Sequence, residues 1–357
     1  MAGRQRLLKV ARWAAFALCV GLFAWALAQA DLAAGWRRIV AIGPIVLLVL
    51  LPFPLSLACD ALAWRTLLAA LGHRVRLLPL YKVRLATEAV TNSTPGGVVW
   101  AEALSPVLVA RRTGAPVPDV VAASTAKRWL LVRMHAGYVA LAAAFGYFAL
   151  EHASRALTGG DGLVIGVIVG AFALVLLSMA MQAITARGQV AGRVSGFLGR
   201  RRFRGIQQWI EGRRHHFTHA DTQIARLSDD RAATAKASVM IFGLWLLEGV
   251  ETYLILHLLG ANLTVIEVMS FDAALSTVRS AAVFAPAGIG VQDVGYLAVL
   301  DAYGVPDSSG IGPAFVVLKR MKEAVFVLIG FIIIARTGEA RKFMHHRAAA
   351  HADSAAT

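Results

Sequence analysis

Charge is the first thing this sequence is short of. Only 16% of its 357 residues are Asp, Glu, Lys or Arg, while 58% are hydrophobic, and the mean hydropathy is +0.63. Soluble domains carry about 25% charged residues. Composition therefore excludes a chain of ordinary soluble domains and points to an all-α polytopic integral membrane protein. Cysteine is scarcer still. Cys19 and Cys59 both lie in apolar stretches, which excludes a disulfide framework and a cysteine-based metal centre. Acids number 21 against 36 Lys and Arg, for a net charge of +15. In a soluble chain that excess would suggest nucleic acid. Here the basic residues cluster between apolar runs, where they set orientation and meet anionic lipid, so no nucleic-acid partner is expected. The motifs GxxxxGK(S/T), HExxH and GxSxG are all missing. His215, His216 and His219 sit in a basic stretch and His345 and His346 near the C-terminus, in no pattern that predicts a metal site. No metal and no cofactor are expected.

What is present is a series of apolar runs separated by basic residues. Residues 1–30 hold Arg4, Arg6, Lys9 and Arg12 ahead of an apolar run from Trp13 to Ala28. This reads as an N-terminal span, although Ala28-Gln29-Ala30 also resembles a signal-peptidase site. A second span covers Ile39 to Leu71, interrupted by Pro44, Pro52 and Pro54; His73, Arg74, Arg76, Lys82 and Arg84 then mark a cytosolic loop. The stretch 85–110 has basic flanks on both sides and a Pro-Gly break inside, as a re-entrant hairpin would; the competing reading is one kinked helix. Asp119 to Leu150 is a span, followed by an outer loop over 151–162 and a return span over Leu163 to Ile184. Residues 187–214 carry eight arginines against one acid, Glu211. This segment fixes the cytosolic side and forms either an interfacial amphipathic helix or a solvated linker. Val239 to Leu259 crosses outward, 262–310 holds a second break, and Gly312 to Ala335 crosses back. The count is six full spans plus two broken hairpins, with both termini cytosolic.

One stretch occurs twice. Displaced by 191 positions, Pro95 falls on Pro286, Gly97 on Gly288, Glu102 on Asp293, Asp60 on Glu251 and Arg128 on Lys319. Span–hairpin–span thus recurs over 39–150 (hairpin 85–110) and 237–335 (hairpin 262–310). A span with the basic loop lies between them at 163–236, and a tail follows at 336–357. Because the flanking charges place the two hairpins on opposite sides, the expectation is an inverted-topology repeat, the architecture of many secondary transporters. Irregular backbone survives in lipid only where it is buried in protein or lines a cavity, and the helix after such a break offers free N–H groups to an anion. Asn92, Pro95, Gly96 and Gly97 with Pro286, Gly288 and Gly290 are therefore expected beside a substrate. Intramembrane charges cost at least about 2.5–3.5 kcal/mol each. Glu102 and Asp293 beside the breaks, with Arg128, Arg279, Lys319 and Arg320, are the expected headgroup ligands, and Asp60, Glu88 and Glu251 the cavity or coupling acids. The bland alternative is a set of ion pairs that only clip the hairpins. Arg133 and Glu248 have no counterpart at the same offset.

The lines TNSTPGGVVWAEALSPVLVARRTGAP and APAGIGVQDVGYLAVLDAYGVP, followed by LKRMKEA, resemble the lysylphosphatidylglycerol synthase transmembrane, or flippase-like, family, closest to its hopanoid-associated members. The resemblance covers roughly residues 10–336. It implies a bacterial inner-membrane lipid translocator, with a membrane lipid as substrate and the 187–214 segment on an anionic lipid surface. The two-part synthases carry a separate cytosolic catalytic domain for which this chain has no room, so no enzymatic activity is expected. Asp293, where glutamate is usual, and Ala287 depart from the family pattern and leave headgroup preference open. The alternative is a non-catalytic scaffold of hopanoid or glycolipid biosynthesis that docks an enzyme on the arginine-rich segment. A membrane transferase ranks third, since Asp229-Asp230 is the sole acidic pair and sits in a linker. A homodimer is the remaining partner expectation.

Overall fold

The computed structural model describes residues 32–93, 97–186, 214–281, 291–305 and 308–336, and among these it is helical without a strand. The first apolar run and the arginine-rich segment up to residue 213 lie outside the described residues. Helix α1 (Leu32–Ile42) passes through a 3-10 stretch (Gly43–Leu50) into α2 (Pro52–Ala70). The prolines explain the change of helix type: Pro44 and Pro52 each start a new helical segment, where a missing N–H and a fixed φ cost nothing.

Helices α3 (Leu77–Ser93) and α4 (Gly97–Thr113) form a hairpin around the first Pro-Gly break. A Cβ on Gly97 would lie 2.4 Å from the Thr91 carbonyl oxygen and 2.5 Å from that of Val90. Only glycine allows the first turn of α4 this close to the last turn of α3. The helices extend beyond the expected 85–110 in both directions. Arg84, expected to mark a loop, is on α3.

Helix α5 (Val117–Phe145) is followed by α6 (Tyr147–Thr158) at 87°. The sequence predicts one span from Asp119 to Leu150 and a loop over 151–162; the helix instead breaks at Gly146 and resumes over Tyr147–Thr158. The turn has a tertiary cause: a Cβ on Gly146 would lie 2.3 Å from Cβ of Ser270, so the chain bends where another helix presses on its bare backbone. Helix α7 (Gly162–Ala186) follows, and then α8 (Arg214–Asp229) and α9 (Arg231–Leu258). Asp230 caps α9 by accepting from the Ala233 N–H at 2.9 Å. The rest is α10 (Val265–Ala281), α11 (Val291–Ala302) and α12 (Ser308–Arg336). Thr264 and Glu267 open α10 as a capping box, Glu267 Oε2 accepting from the Thr264 N–H at 2.7 Å.

Three helical stretches among the described residues are long and apolar enough to cross a membrane: Gly35–Ala70, Gly162–Thr185 and Arg231–Leu258; the bent pair α5–α6 is a fourth if counted as one span. Helix α12 is as long, but Lys319, Arg320, Lys322 and Glu323 interrupt its hydrophobicity. The outward faces are those of a protein solvated by hydrocarbon. On α7, Ile165, Ile168, Val169, Phe172 and Leu176 are all exposed, an apolar surface that water would not tolerate.

The interior has two main cores. One is built around Trp64, Leu67, Leu80 and Trp129 on α2, α3 and α5. The other is built around Phe271, Leu300, Phe315 and Tyr296 on α10, α11 and α12. The helix bounds follow the 191-residue displacement: Val117 and Phe145, the ends of α5, fall on Ser308 and Arg336, the ends of α12. The packing is reciprocal as well, since α3 lies on α12 and α10 on α5. Helices α2 and α9, which correspond under the same displacement, pack together more extensively than any other pair. They run antiparallel. Gly243 faces Cys59 near the middle, and the C-terminal turns of α2 face the N-terminal turns of α9.

Candidate functional site

Each half of the bundle buries one carboxylate under two cations. In the first, Asp60 on α2 is fully buried. Lys127 Nζ on α5 donates to Asp60 Oδ2 at 2.6 Å, and Arg84 Nε on α3 lies 3.1 Å from the same oxygen. Arg84 continues to Glu88 at 2.7 Å, and Asn92 Nδ2 donates to Glu88 Oε1 at 3.3 Å. On the next residue of α5, Arg128 reaches across to Glu102 on α4 at 3.1 Å. Three acids and three bases thus tie both arms of the α3–α4 hairpin to α2 and α5. The charges balance, as a low-dielectric interior requires.

The second cluster has the same logic with different helices. Glu251 on α9 is 2% exposed. Lys319 donates to its Oε1 at 2.8 Å, and Lys322 to Oε1 at 2.9 Å and to Oε2 at 3.0 Å. Lys319 also donates to Thr252 Oγ1 at 3.2 Å, and Arg320 pairs with Glu323 at 2.7 Å. Asp60 falls on Glu251 under the 191-residue displacement, but Lys127 falls on Leu318 and Lys319 on Arg128, so each half buries an acid–lysine pair through neighbouring rather than equivalent lysines.

The pairs differ in accessibility, which decides what each can do. The side chains of Asp60 and Lys127 are 1% and 13% exposed, those of Glu251 and Lys319 2% and 11%. Arg128 and Glu102 are 34% and 48% exposed, and Glu102 stands on the helix that begins at the break. Beside them Val99 and Trp100 are among the most exposed apolar residues of the chain. The first two pairs are struts inside the bundle. The third can exchange partners.

The structure therefore brings Asn92, Glu88, Asp60, Glu102 and Arg128 into one network and joins Glu251 to Lys319. Lys319, expected among the headgroup ligands, is paired with Glu251 inside the bundle. Pro95, Gly96, Pro286, Gly288 and Gly290 lie outside the described residues. Arg279 and Asp293 are placed on α10 and α11 by backbone alone. Sequence reasoning missed three members of the network. Arg84 was assigned to a loop, Lys127 was hidden beside Arg128, and Lys322 lies one helical turn from Lys319 (an i, i+3 spacing that could have been read as a shared face). It also missed Asp119, whose carboxylate meets His73 Nε2 at 2.6 Å and His219 Nε2 at 2.7 Å. Arg133, with no counterpart in the second half, holds α7 by donating to Ser178 Oγ and Gln182 Oε1. Among the described residues no cluster has the arrangement of a metal site.

Asp60 Oδ1 and the indole N–H groups of Trp64 and Trp129 are buried without a hydrogen-bond partner among the described residues. Asp60 and Trp64 are one turn apart on α2. Leftover polarity of this kind is rare in packed interiors, and the Trp64 ring lies 4.4 Å from Lys127 Nζ, beside the buried Asp60–Lys127 pair.

Comparison with known families gives one match: the model of the lysylphosphatidylglycerol synthase TM region covers residues 12–334. No curated protein and no solved structure matches the chain.

Proposed function

The chain belongs to the lysylphosphatidylglycerol synthase transmembrane-region family, a membrane lipid-related domain, and from that premise we propose that it moves the polar headgroup of a phospholipid or related amphiphile across the membrane. The observation that carries this reading is the half-exposed Arg128–Glu102 pair at the head of α4, backed by the buried Asp60–Lys127 strut. A headgroup phosphate takes the Arg128 guanidinium, for which planar bidentate recognition is well suited. Glu102 turns to an amine of the headgroup or to water. The acyl or polycyclic tail stays in hydrocarbon beside Val99 and Trp100. No bond is made or broken.

Antiparallel packing of α2 on α9 and reciprocal packing of α3 on α12 and α10 on α5 support two inverted halves. Rocking of one against the other changes which side the site faces. In this reading Asp60 and Glu251 keep each half rigid, while Arg279 and Asp293 contribute from the second hairpin and Arg320 from α12. The protein works in a bacterial inner membrane with both termini in the cytosol, and the 187–214 segment rests on anionic lipid.

The test is lipid scrambling by correctly inserted Glu102→Gln, Arg128→Ala and Asp293→Asn variants. Each is expected to slow translocation at least about tenfold, equivalent to about 1.4 kcal/mol of barrier. Wild-type rates in all three would mean that the ion pairs only clip the hairpins, and would favour an accessory role in lipid biosynthesis.

A further inference from the structure

A second feature lies at the end of the bundle where α2 finishes and α9 begins. A cavity of about 450 Å³ opens there between the two helices. On α2 it is lined by Leu62, Arg65, Thr66, Ala69 and Ala70, whose spacing puts them on one face. On α9 the walls are Ala232 and Ala233, with Lys236 one turn further on and Asp230 at the cap. Elsewhere α2 and α9 pack closely; here four alanines end at Cβ and leave a gap.

Two cations frame this gap. Arg65 and Lys236 are exposed, and neither makes an ion pair or a side-chain hydrogen bond among the described residues. That sets them apart from Arg84, Lys127, Arg128, Lys319 and Lys322, each of which is matched to an acid. Each cation lies five residues inside its helix end (Ala70 for Arg65, Arg231 for Lys236), about 7.5 Å along the axis. Both therefore sit at one depth, just below the end of two apolar spans, where long basic side chains reach for the headgroup layer. The one acid in the lining, Asp230, has an oxygen committed to the Ala233 N–H. The lining carries a net charge of +1, which a single phosphodiester neutralises. Leu62 forms the deep apolar end, toward the hydrocarbon.

We propose that this cavity is a binding site for the phosphodiester headgroup of a monoanionic glycerophospholipid, separate from the Arg128–Glu102 site. Basic pockets between transmembrane helices on the positively charged side of a membrane protein recognise anionic headgroups in this way. Arg65 grips the phosphate in bidentate fashion, Lys236 adds a point charge from the opposite wall, and the acyl chains run down the outer seam between α2 and α9. The site is independent of whether the chain translocates lipid.

The experiment is native mass spectrometry of the full chain in detergent, titrated with dioleoyl-phosphatidylglycerol, with dioleoyl-phosphatidylethanolamine, or with inorganic phosphate. The wild type is expected to retain one phosphatidylglycerol at least about tenfold more tightly than Arg65→Ala/Lys236→Ala. The charge-conserving Arg65→Lys/Lys236→Arg variant, which keeps both charges but loses the bidentate fork at residue 65, should bind more tightly than Arg65→Ala/Lys236→Ala and less tightly than the wild type, and the control Arg111→Ala/Arg112→Ala should bind as the wild type does. Undiminished retention by Arg65→Ala/Lys236→Ala would overturn the proposal, as would an equal loss in the Arg111/Arg112 control. Displacement of the lipid by equimolar phosphate would identify a free-anion site instead, and equal retention of phosphatidylethanolamine would refute the preference for a monoanion.

Discussion

Removing the Asp60 carboxylate while leaving its lysine in place is the sharpest perturbation the structure offers. Asp60→Asn keeps the shape of the side chain but leaves Lys127 Nζ, 13% exposed and 2.6 Å from the substituted oxygen, without a counter-charge inside the bundle. Arg84 is less affected, because it retains Glu88 at 2.7 Å. Breaking one side of a buried pair costs about 3–5 kcal/mol, whereas replacing both sides with neutral groups of similar volume is often close to neutral. Asp60→Asn should therefore cost about 3–5 kcal/mol, and Asp60→Asn/Lys127→Met less than about 2 kcal/mol. The second substitution should thus recover at least about 1–3 kcal/mol of the cost of the first. Unfolding in detergent can be followed by tryptophan fluorescence, since Trp64 lies 4.4 Å from Lys127 Nζ and both Trp64 and Trp129 are 1% exposed. A single-variant cost below about 1 kcal/mol, or a double variant as costly as the two singles added together, would refute the assignment of this pair as a strut.

Three further perturbations test the packing. Gly97→Ala places a methyl 2.4 Å from the Thr91 carbonyl oxygen; overpacking of this kind costs about 1–3 kcal/mol, which a thermal unfolding series would read, and an unchanged midpoint would mean that the hairpin is not closed there. Gly330→Val forces α12 against α3, because a Cβ there would lie 2.6 Å from Ala89 Cβ and from the Leu85 carbonyl oxygen, so it should destabilise by a similar amount although residue 330 belongs to neither ion-pair cluster. His219→Ala removes one of two imidazoles on Asp119 and loosens α8 from α5. Amide exchange over residues 218–228 should then accelerate while that of α2 stays unchanged, at a local cost of about 1–3 kcal/mol.

What could be read from the sequence divides along physical lines. The Pro-Gly break at residues 95–97, the acids at Asp60 and Glu251, and the approach of Arg128 to Glu102 were all legible, because each violates what an apolar helix tolerates. A violation marks itself. Arg84 misled for the opposite reason: it ends a dense run of basic residues from His73 onward, and nothing local separates a cation facing water from one facing Asp60, which is 24 positions earlier. Lys127 was masked by its neighbour, although residues 127 and 128 face different helices once α5 is wound. The bend at Gly146 has no proline and no break in hydropathy, since its cause is Ser270 on a distant helix. The Asp119 cluster joins residues 46 and 100 positions apart, and no periodic pattern encodes such a meeting. Of the six expected spans, three or four meet the length and composition of a membrane span among the described residues; the first, over 1–30, lies outside them, and Lys319, Arg320, Lys322 and Glu323 dilute the last, on α12.

Lipid movement itself is the most direct test of the central claim. The purified full chain would be reconstituted at known density into vesicles holding a trace of headgroup-labelled phospholipid, with dithionite added outside. Translocation predicts that bleaching passes the half that marks outer-leaflet label alone, with a rate that rises with protein per vesicle and falls in Arg128→Ala. Bleaching that stops at one half for every headgroup tried, in protein shown to be folded, would contradict the account.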